Sequence, residues 1–358
     1  MKIAILGDMH IGIRNDSEIF YEYQKKFFMA VFFPYLHENK IKNVIQVGDF
    51  FDRRQYISFK TLHYLMSYFP EQLKKHNISF NILLGNHDTS LKSSNHINSP
   101  SLLLKHYENI NIIEDFSDLS ITDNKEKYTV GIIPWINNNN INEAINYIEN
   151  TKASYVFGHL ELAGFEMHKG QLCESGMNMD LFGKFNKVIT GHFHTKSSRG
   201  NILYTGTPYE LSWSDHNDKK GFHVLDTDTH EIEFIENPYT LFHKIDYTNN
   251  GVNEYENITP MCESLEGKYV KLICHKKVDD EMYENYLKRK STERPIDIHV
   301  NIVSNETENE EIENEAGKSF NQMIIDNVNN ASENAYSELV KNKTIDLLLN
   351  LYNELDIE

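Results

Sequence analysis

The chain has three cysteines in 358 residues, Cys173, Cys262 and Cys274. None has a pair-like spacing and the count is odd, which argues against a disulfide framework and for reduced thiols in a cytoplasmic protein. Long apolar runs are missing too. No stretch approaches the roughly 18 residues of a membrane span. The apolar run Ile3 to Leu6 stops at Gly7-Asp8, too short for a signal peptide. Positive charge is scarce: 35 Lys and Arg stand against 53 Asp and Glu, a formal charge of −18. That balance disfavours proteins that coat DNA by electrostatics alone. No internal repeat is found.

What is present is ordinary for a globular protein: 40% hydrophobic and 25% charged residues. The length suits two or three domains at roughly 150 residues each. Histidine is abundant, at 17, and it is the commonest metal ligand.

The first 240 residues alternate strand-like and helix-like segments. Lys2–Leu6, Asn43–Val47 and Ser79–Leu84 read as buried strands. Between them, Glu18 to Lys40 carries Ile19, Tyr23, Phe27, Val31 and Tyr35 at helical steps, and Ser58 to His76 carries Leu62, Leu65, Met66, Phe69 and Leu73. This β-α-β-α-β order implies parallel strands with right-handed crossovers. Further strands are expected at Tyr128–Ile133, Ser154–Phe157, Lys187–Thr190, Ile202–Tyr204, Gly221–Asp226 and Glu231–Ile235. The Asn137–Asn140 run reads as a polar loop with no assignable chemistry.

Asn237-Pro238 marks a boundary near residue 240. Residues 241–303 then form a small β-α-β unit, with strands at Lys268–Cys274 and Ile296–Val303 and a helix at Asp279–Arg289. Residues 304–318 hold six glutamates and one lysine, an acidic linker that cannot bury apolar surface. In 319–358, Phe320, Met323, Ile324 and Val328, then Ile345, Leu348, Leu349, Tyr352 and Leu355, mark two amphipathic helices. They either fold back on the main domain or dock on a partner, and the docking reading is preferred.

Five short motifs follow glycines at expected strand ends: Gly7-Asp8-Met9-His10, Gly48-Asp49, Gly85-Asn86-His87-Asp88, Gly158-His159 and Gly191-His192-Phe193-His194. Loops at the carboxyl ends of parallel strands converge on one crevice. A lone Gly-Asp or Gly-His is more often a turn than a ligand, but five in this order are hard to obtain by accident. Asp8, His10, Asp49, Asn86, His159, His192 and His194 are more ligands than one ion needs. If Asp49 bridges, each of two ions receives four of them. Mixed carboxylate and imidazole donors suit Mn²⁺, Fe²⁺ or Zn²⁺, and two such ions sit roughly 3.5–4 Å apart.

This series of motifs resembles that of the calcineurin-like metallophosphoesterases over roughly residues 1–240. Within that family the chain is similar to the SbcD-type DNA nucleases, including those of phage recombination endonucleases. Ile133-Pro134-Trp135, Gly158-His159-Leu160-Glu161-Leu162, Gly191-His192-Phe193-His194-Thr195 and Tyr204-Thr205-Gly206-Thr207-Pro208 extend the likeness. The resemblance implies an α/β fold: a four-layer αββα sandwich with a small α/β capping domain (241–303) and a C-terminal helical element (319–358) for an SMC-like ATPase of the SbcC type. It implies two Mn²⁺ (or Mg²⁺ or another divalent ion), one held by Asp8, His10, Asp49 and His194, the other by Asp49, Asn86, His159 and His192.

The dications would neutralise the phosphodiester and activate water, and His87 would stabilise the transition state or protonate the leaving oxygen. Asp52, in Gly48-Asp-Phe-Phe-Asp52-Arg53, is expected to orient His87, with Asp88 the other candidate close behind the ligands. Some SbcD-type relatives have histidine at the Asp52 position, which is a departure here. Arg53 is a candidate phosphate contact. The protein-phosphatase pattern expects glycine after Asp-Arg, where this chain has Arg54.

The expected function is therefore a Mn²⁺-dependent DNA exo/endonuclease subunit for double-strand-end processing and recombination. The alternatives are a phosphatase or small-nucleotide phosphodiesterase of the same superfamily, and a non-catalytic scaffold that tethers the ATPase. The acidic charge implies weak intrinsic DNA affinity, with recruitment by the ATPase and by pairing of two nuclease subunits. The aromatic first helix (Phe20, Tyr21, Tyr23, Phe27, Phe28) is the expected dimer contact. The Asn, Lys and Ile-rich style suits an AT-rich, viral genome and, in that case, the host cytoplasm.

Overall fold

The computed structural model describes residues 1–123, 126–168, 170–247, 265–274, 287–288 and 290–302. The acidic linker, the helices expected in 319–358, and all but residues 287 and 288 of the helix expected at Asp279–Arg289 lie outside these residues. No described helix is long and apolar enough to cross a membrane. The chain divides into two units. The first comprises Met1–Lys244, Leu265–Val270 and Arg294–Asp297, and the second comprises Ile245–Ser264, Lys271–Glu293 and Ile298–Glu358.

Two six-stranded sheets build the first unit. In chain order, the strands are β1 (Lys2–Leu6), β2 (Asn43–Gln46), β3 (Ser79–Leu83), β4 (Ile110–Ile113), β5 (Ser117–Asp123), β6 (Glu126–Ile133), β7 (Tyr155–His159), β8 (Lys187–Gly191), β9 (Ser197–Arg199), β10 (Ile202–Tyr204), β11 (Gly221–Asp226) and β12 (Ile232–Glu236). The first sheet runs β12-β11-β1-β2-β3-β4 and the second β9-β10-β8-β7-β6-β5. Strands β1 to β4 pair in parallel, Ile5 opposite Ile45 and Ile45 opposite Asn81. The pairs β6-β7 and β7-β8 are parallel as well, with His159 opposite Gly191. Ile3, Ile5, Val47, Val130, Phe157, Ile189 and Leu225 fill the space between the sheets.

Helices cover both outer faces, which makes the four-layer αββα sandwich. Against the first sheet lie α1 (Glu18–Phe27), α2 (Phe33–Glu38), α3 (Phe59–Met66) and α4 (Phe69–Lys75). Against the second lies α5 (Ile141–Asn150), through Ile148 and Ala144. Strands in such a sandwich are apolar on both faces, and β1, β2 and β3 are accordingly buried almost end to end.

Several expected elements differ in detail. The helix expected from Glu18 to Lys40 is interrupted by a π-helical turn, Phe28–Phe32, between α1 and α2. Phe27, Phe28, Phe32 and Phe33 are all buried around that turn. The helix expected from Ser58 to His76 is two. Ser58 caps α3 by accepting from the Thr61 amide, and the chain breaks at Ser67-Tyr68 before Pro70 in the first turn of α4. Proline has no amide hydrogen to continue the α3 ladder. Short hairpins at Thr89–Leu91 with Ser94–Asn98, and at Glu166–His168 with Gln171–Leu172, escape sequence patterning.

Of the five aromatics expected at a dimer contact, Phe20, Tyr23, Phe27 and Phe28 are buried within the chain's own core, while Tyr21 is half-buried and stacked on Tyr64. A separate three-stranded sheet has the order Phe242–Tyr247, Tyr269–Cys274, Asp297–Ile302.

Candidate metal centre

Because β1, β2 and β3 point the same way, the loops that follow them meet at one edge, carrying Asp8 and His10, Asp49, and Asn86 to Asp88. Strands β7 and β8 bring His159, His192 and His194 from the second sheet, and the pairing of His159 with Gly191 places His192 one residue beyond its neighbour. Asp8, His10, Asp49, Asn86 and His159 are almost wholly buried.

The loops are bent tightly to achieve this. His10, Asp49 and His192 have φ of 44°, 53° and 93°, a region that side chains avoid. Three such residues at one point mark strain held by the surrounding fold, which typically accompanies function. Gly48 has φ 94°, and a Cβ there would lie 2.3 Å from His159 Nδ1. Buried Gln46 braces the turn, its amide nitrogen donating to the carbonyls of Gly7 and Gly48.

Asp49 sits in the middle. One oxygen accepts from the His87 amide at 2.8 Å. The other lies 3.4 Å from His159 Nε2 and 3.8 Å from His10 Nε2. To one side, His10 Nε2 and His194 Nε2 are 3.1 Å apart, with Asp8 Oδ2 3.9 Å from the latter. To the other, Asn86 Oδ1 lies 2.8 Å from His159 Nε2 and 3.0 Å from His192 Nδ1. Ligand atoms fall within 4.8 Å of one another in three groups: Asp8-His10-His194, Asp49-His159-His192 and His10-Asp49-His87.

The seven expected ligands thus come together with Asp49 between two groups. The donor set fits divalent cations: buried carboxylates whose ion-pair partners, among the described residues, are imidazoles. Burial raises the Asp8 carboxyl to about 6, with Asp49 adding to it against the pull of His159. Burial also pushes Asp49 up, but His159, His87 and His10 outweigh it and hold it well below the usual carboxylate range. His159 is raised to about 9, its burial overcome by Asp49. Carboxylate oxygens and imidazole nitrogens so close together are the donor types that a divalent cation takes.

Groups behind the ligands fix their orientation. His159 Nδ1 donates to the Val47 carbonyl at 2.8 Å, which turns Nε2 inward. The Asp52 carboxylate lies 3.2 Å from His10 Nδ1, whereas the Asp52 main-chain carbonyl lies 2.6 Å from His87 Nδ1. Asp52 therefore meets His87 through its backbone, and its side chain serves His10. Asp88 accepts from the amides of Phe50, Phe51 and Gly85, tying the second and third loops together. Arg53 does not reach the centre; its guanidinium binds Asp16 at 2.9 Å and Asn15 at 2.9 Å.

Sequence reasoning missed the role of Glu161. Its carboxylate is 3.7 Å from His192 Nε2 and accepts from Ser175 at 3.3 Å. The nearby His192 ring, with Ser175, holds Glu161 below the usual carboxylate range. A glutamate two residues after a ligand histidine carries no signature; only its place in the His159-Leu160-Glu161 stretch hinted at it.

A two-sheet αββα sandwich with this ring of carboxylates and imidazoles at its strand ends defines a metallophosphoesterase. Residues 1–196 match the calcineurin-like phosphoesterase family, and the chain belongs to it. It is similar to exonuclease subunit 1 of Enterobacteria phage T4, 34% identical over 72% of this chain and 74% of that one. It also resembles the DNA double-strand break repair protein Mre11 of Nanoarchaeum equitans, 25% identical over 63% and 66% of the two chains. The SbcCD nuclease of Staphylococcus epidermidis contributes a third relative, one of its subunits being 24% identical over 65% of this chain and 67% of its own. The protein is thus an enzyme of phosphoester chemistry.

Proposed function

We propose that this chain is the nuclease subunit of a DNA end-processing machine, a Mn²⁺-dependent exo/endonuclease that works with an SMC-like ATPase. The observation that carries the chemistry is the Asp49 carboxylate, which faces His10 on one side and His159 on the other. The DNA substrate is supported by relatives named for exonuclease activity and DNA double-strand break repair, and a partner by two of them being subunits; that the partner is an SMC-like ATPase rests on the motif resemblance, and the acidic charge of −18 suits a subunit that depends on a partner to hold DNA.

Asp8, His10, Asp49 and His194 would hold one ion, and Asp49, Asn86, His159 and His192 the other. When bound, such a pair neutralises the phosphate oxygens and lowers the pKa of water. The chain's own residues do the rest. Val47 fixes the ring of His159 by accepting from its Nδ1, and the Asp52 and Glu161 carboxylates stand 3.2 Å from His10 Nδ1 and 3.7 Å from His192 Nε2. With Nδ1 engaged by the Asp52 carbonyl, Nε2 is the His87 atom that gives a proton to the leaving oxygen. The capping region 241–303 would bear on the DNA, and the helical element expected in 319–358 on the ATPase.

The test is to purify the full chain with Mn²⁺, with and without the candidate ATPase, and to offer DNA ends, phosphopeptides and cyclic nucleotides. Metal-dependent DNA cleavage that the ATPase enhances is expected. Turnover of phosphopeptides or cyclic nucleotides with DNA left intact would replace this reading by a phosphatase or small-nucleotide phosphodiesterase. His87→Gln should keep its metal and lose most of its cleavage rate; an unchanged rate removes His87 from the chemistry.

A further inference from the structure

A cavity of about 600 Å³ opens along one side of the sandwich, between the β12-β11 edge of the first sheet and the β9-β10 edge of the second. Tyr155, at the start of β7, and Lys187, at the start of β8, line it together with Lys196, Ser197, His223 and Phe234. His159 and Gly191 end those two strands, so at roughly 3.3 Å per residue this end of the cavity stands about 13 Å from the metal ligands. None of the seven ligands lines it.

Its described walls carry two lysines and no carboxylate, in a chain of formal charge −18. The Lys196 ammonium lies 3.6 Å over the Phe234 ring, while nearby Glu236 is held by Lys219 at 2.8 Å. Two polar atoms on the walls, His223 Nδ1 and Ser197 Oγ, are buried with no hydrogen-bond partner among the described residues. His223 is only 3% exposed, and stands opposite Ile5 on one neighbouring strand and Phe234 on the other. A buried polar atom without a partner costs about 1–3 kcal/mol, so two on one cavity point to a partner from outside the fold. Water would satisfy both atoms but would leave two ammoniums without an anion.

We propose that this cavity is a second binding site, separate from the metal centre, for a small phosphate monoester or phosphonate with an aromatic body. Two ammoniums, a hydroxyl and an imidazole are more partners than two carboxylate oxygens take up, and they match the double charge and three oxygens of a phosphate monoester. The volume falls well inside the ligand-pocket range of about 300–1,000 Å³, which leaves room for an organic body beside the phosphate. The rings of Tyr155 and Phe234 give that body an apolar wall. The site is independent of the nuclease reading, because it draws on none of the groups that reading uses.

Pyridoxal 5′-phosphate is a suitable probe, since it carries a flat ring, a phosphate and an aldehyde. The aldehyde condenses with a lysine amine to an imine with loss of water, and borohydride reduces the imine to a secondary amine that mass spectrometry locates. In the full chain loaded with Mn²⁺, Lys187 or Lys196 should be labelled at least tenfold faster than the exposed Lys92 beside the metal centre. Phenylphosphonate, which has no ester bond to cleave, should protect them at least tenfold more strongly than inorganic phosphate. Labelling spread evenly over exposed lysines, or equal protection by the two anions, would overturn the proposal. Separately, Lys187→Gln combined with Lys196→Gln should weaken phenylphosphonate binding at least tenfold in calorimetry, with hydrolysis of bis(p-nitrophenyl) phosphate unchanged. An unaltered affinity would place the anion at the metal centre instead, and would overturn it too.

Discussion

Glu161 is not among the ligands, yet it should control the second metal position. Outer partners of ligating histidines are typically worth about 10–100-fold in metal affinity. Glu161→Gln is expected to weaken Mn²⁺ binding by that order and to regain activity as Mn²⁺ is raised, read by metal titration of the hydrolysis rate. A second residue, His223, reports on acid stability. It is buried in the sandwich core, and burial, with Lys196 adding to it, pushes its pKa down to about 3. The unfolded chain takes up this proton below about 6.5, whereas the folded chain does not until near 3. Stability therefore falls as pH drops through that window, by up to about 1.4 kcal/mol per unit. His223→Leu should flatten the fall between pH 6 and 4 in denaturant melts. The candidate ligands were legible because each of their motifs opens on a glycine that ends an apolar run. Asp52 and Glu161 were not, because which side chain stands behind a ligand is decided by how distant loops meet. Arg53 misled for the same reason: nothing near it in sequence announces that left-handed Asn15 and Asp16 will claim it.

At the scale of elements, the π turn Phe28–Phe32 carries much of the outer core. Phe28 is fully buried, with rings of Phe27, Phe32 and Phe69 edge-on at 5.2, 5.6 and 5.4 Å. Phe28→Ala should cost about 3–5 kcal/mol, measured as a shifted denaturation midpoint, with the metal affinity of the folded fraction unchanged. The four-residue steps of Glu18–Lys40 announced a helix, but not the wider turn inside it, since an extra residue per turn leaves no mark when its neighbours are nearly all apolar. The central strands were equally plain as apolar runs. The hairpins at Thr89–Asn98 and Glu166–Leu172 were not, being short, polar and held by pairing rather than by burial. Pro70 was visible, but the stripe from Leu62 to Leu73 masked the break it enforces.

At the scale of the sandwich, the ligand ring draws on both sheets: Asp8, His10, Asp49 and Asn86 from the first, His159, His192 and His194 from the second. Binding that exists only in the folded state adds stability as RT ln(1 + [L]/Kd), about 2.7 kcal/mol at a hundredfold excess over Kd. Chelation should accordingly lower Tm by several degrees and speed amide exchange in the loops after β1 and β8. A Tm indifferent to chelator would mean that the ions contribute nothing to cohesion. The parallel order of β1 to β3 could be read from the alternation of apolar runs, but the sharing of one centre between two sheets could not, because it depends on how the second sheet is stacked. Its consequence is that a bound ion would be a rivet as well as a reagent. A cell short of the bound metal would then hold less intact enzyme, in addition to running each copy more slowly, so the supply of that metal would set the dose of the protein.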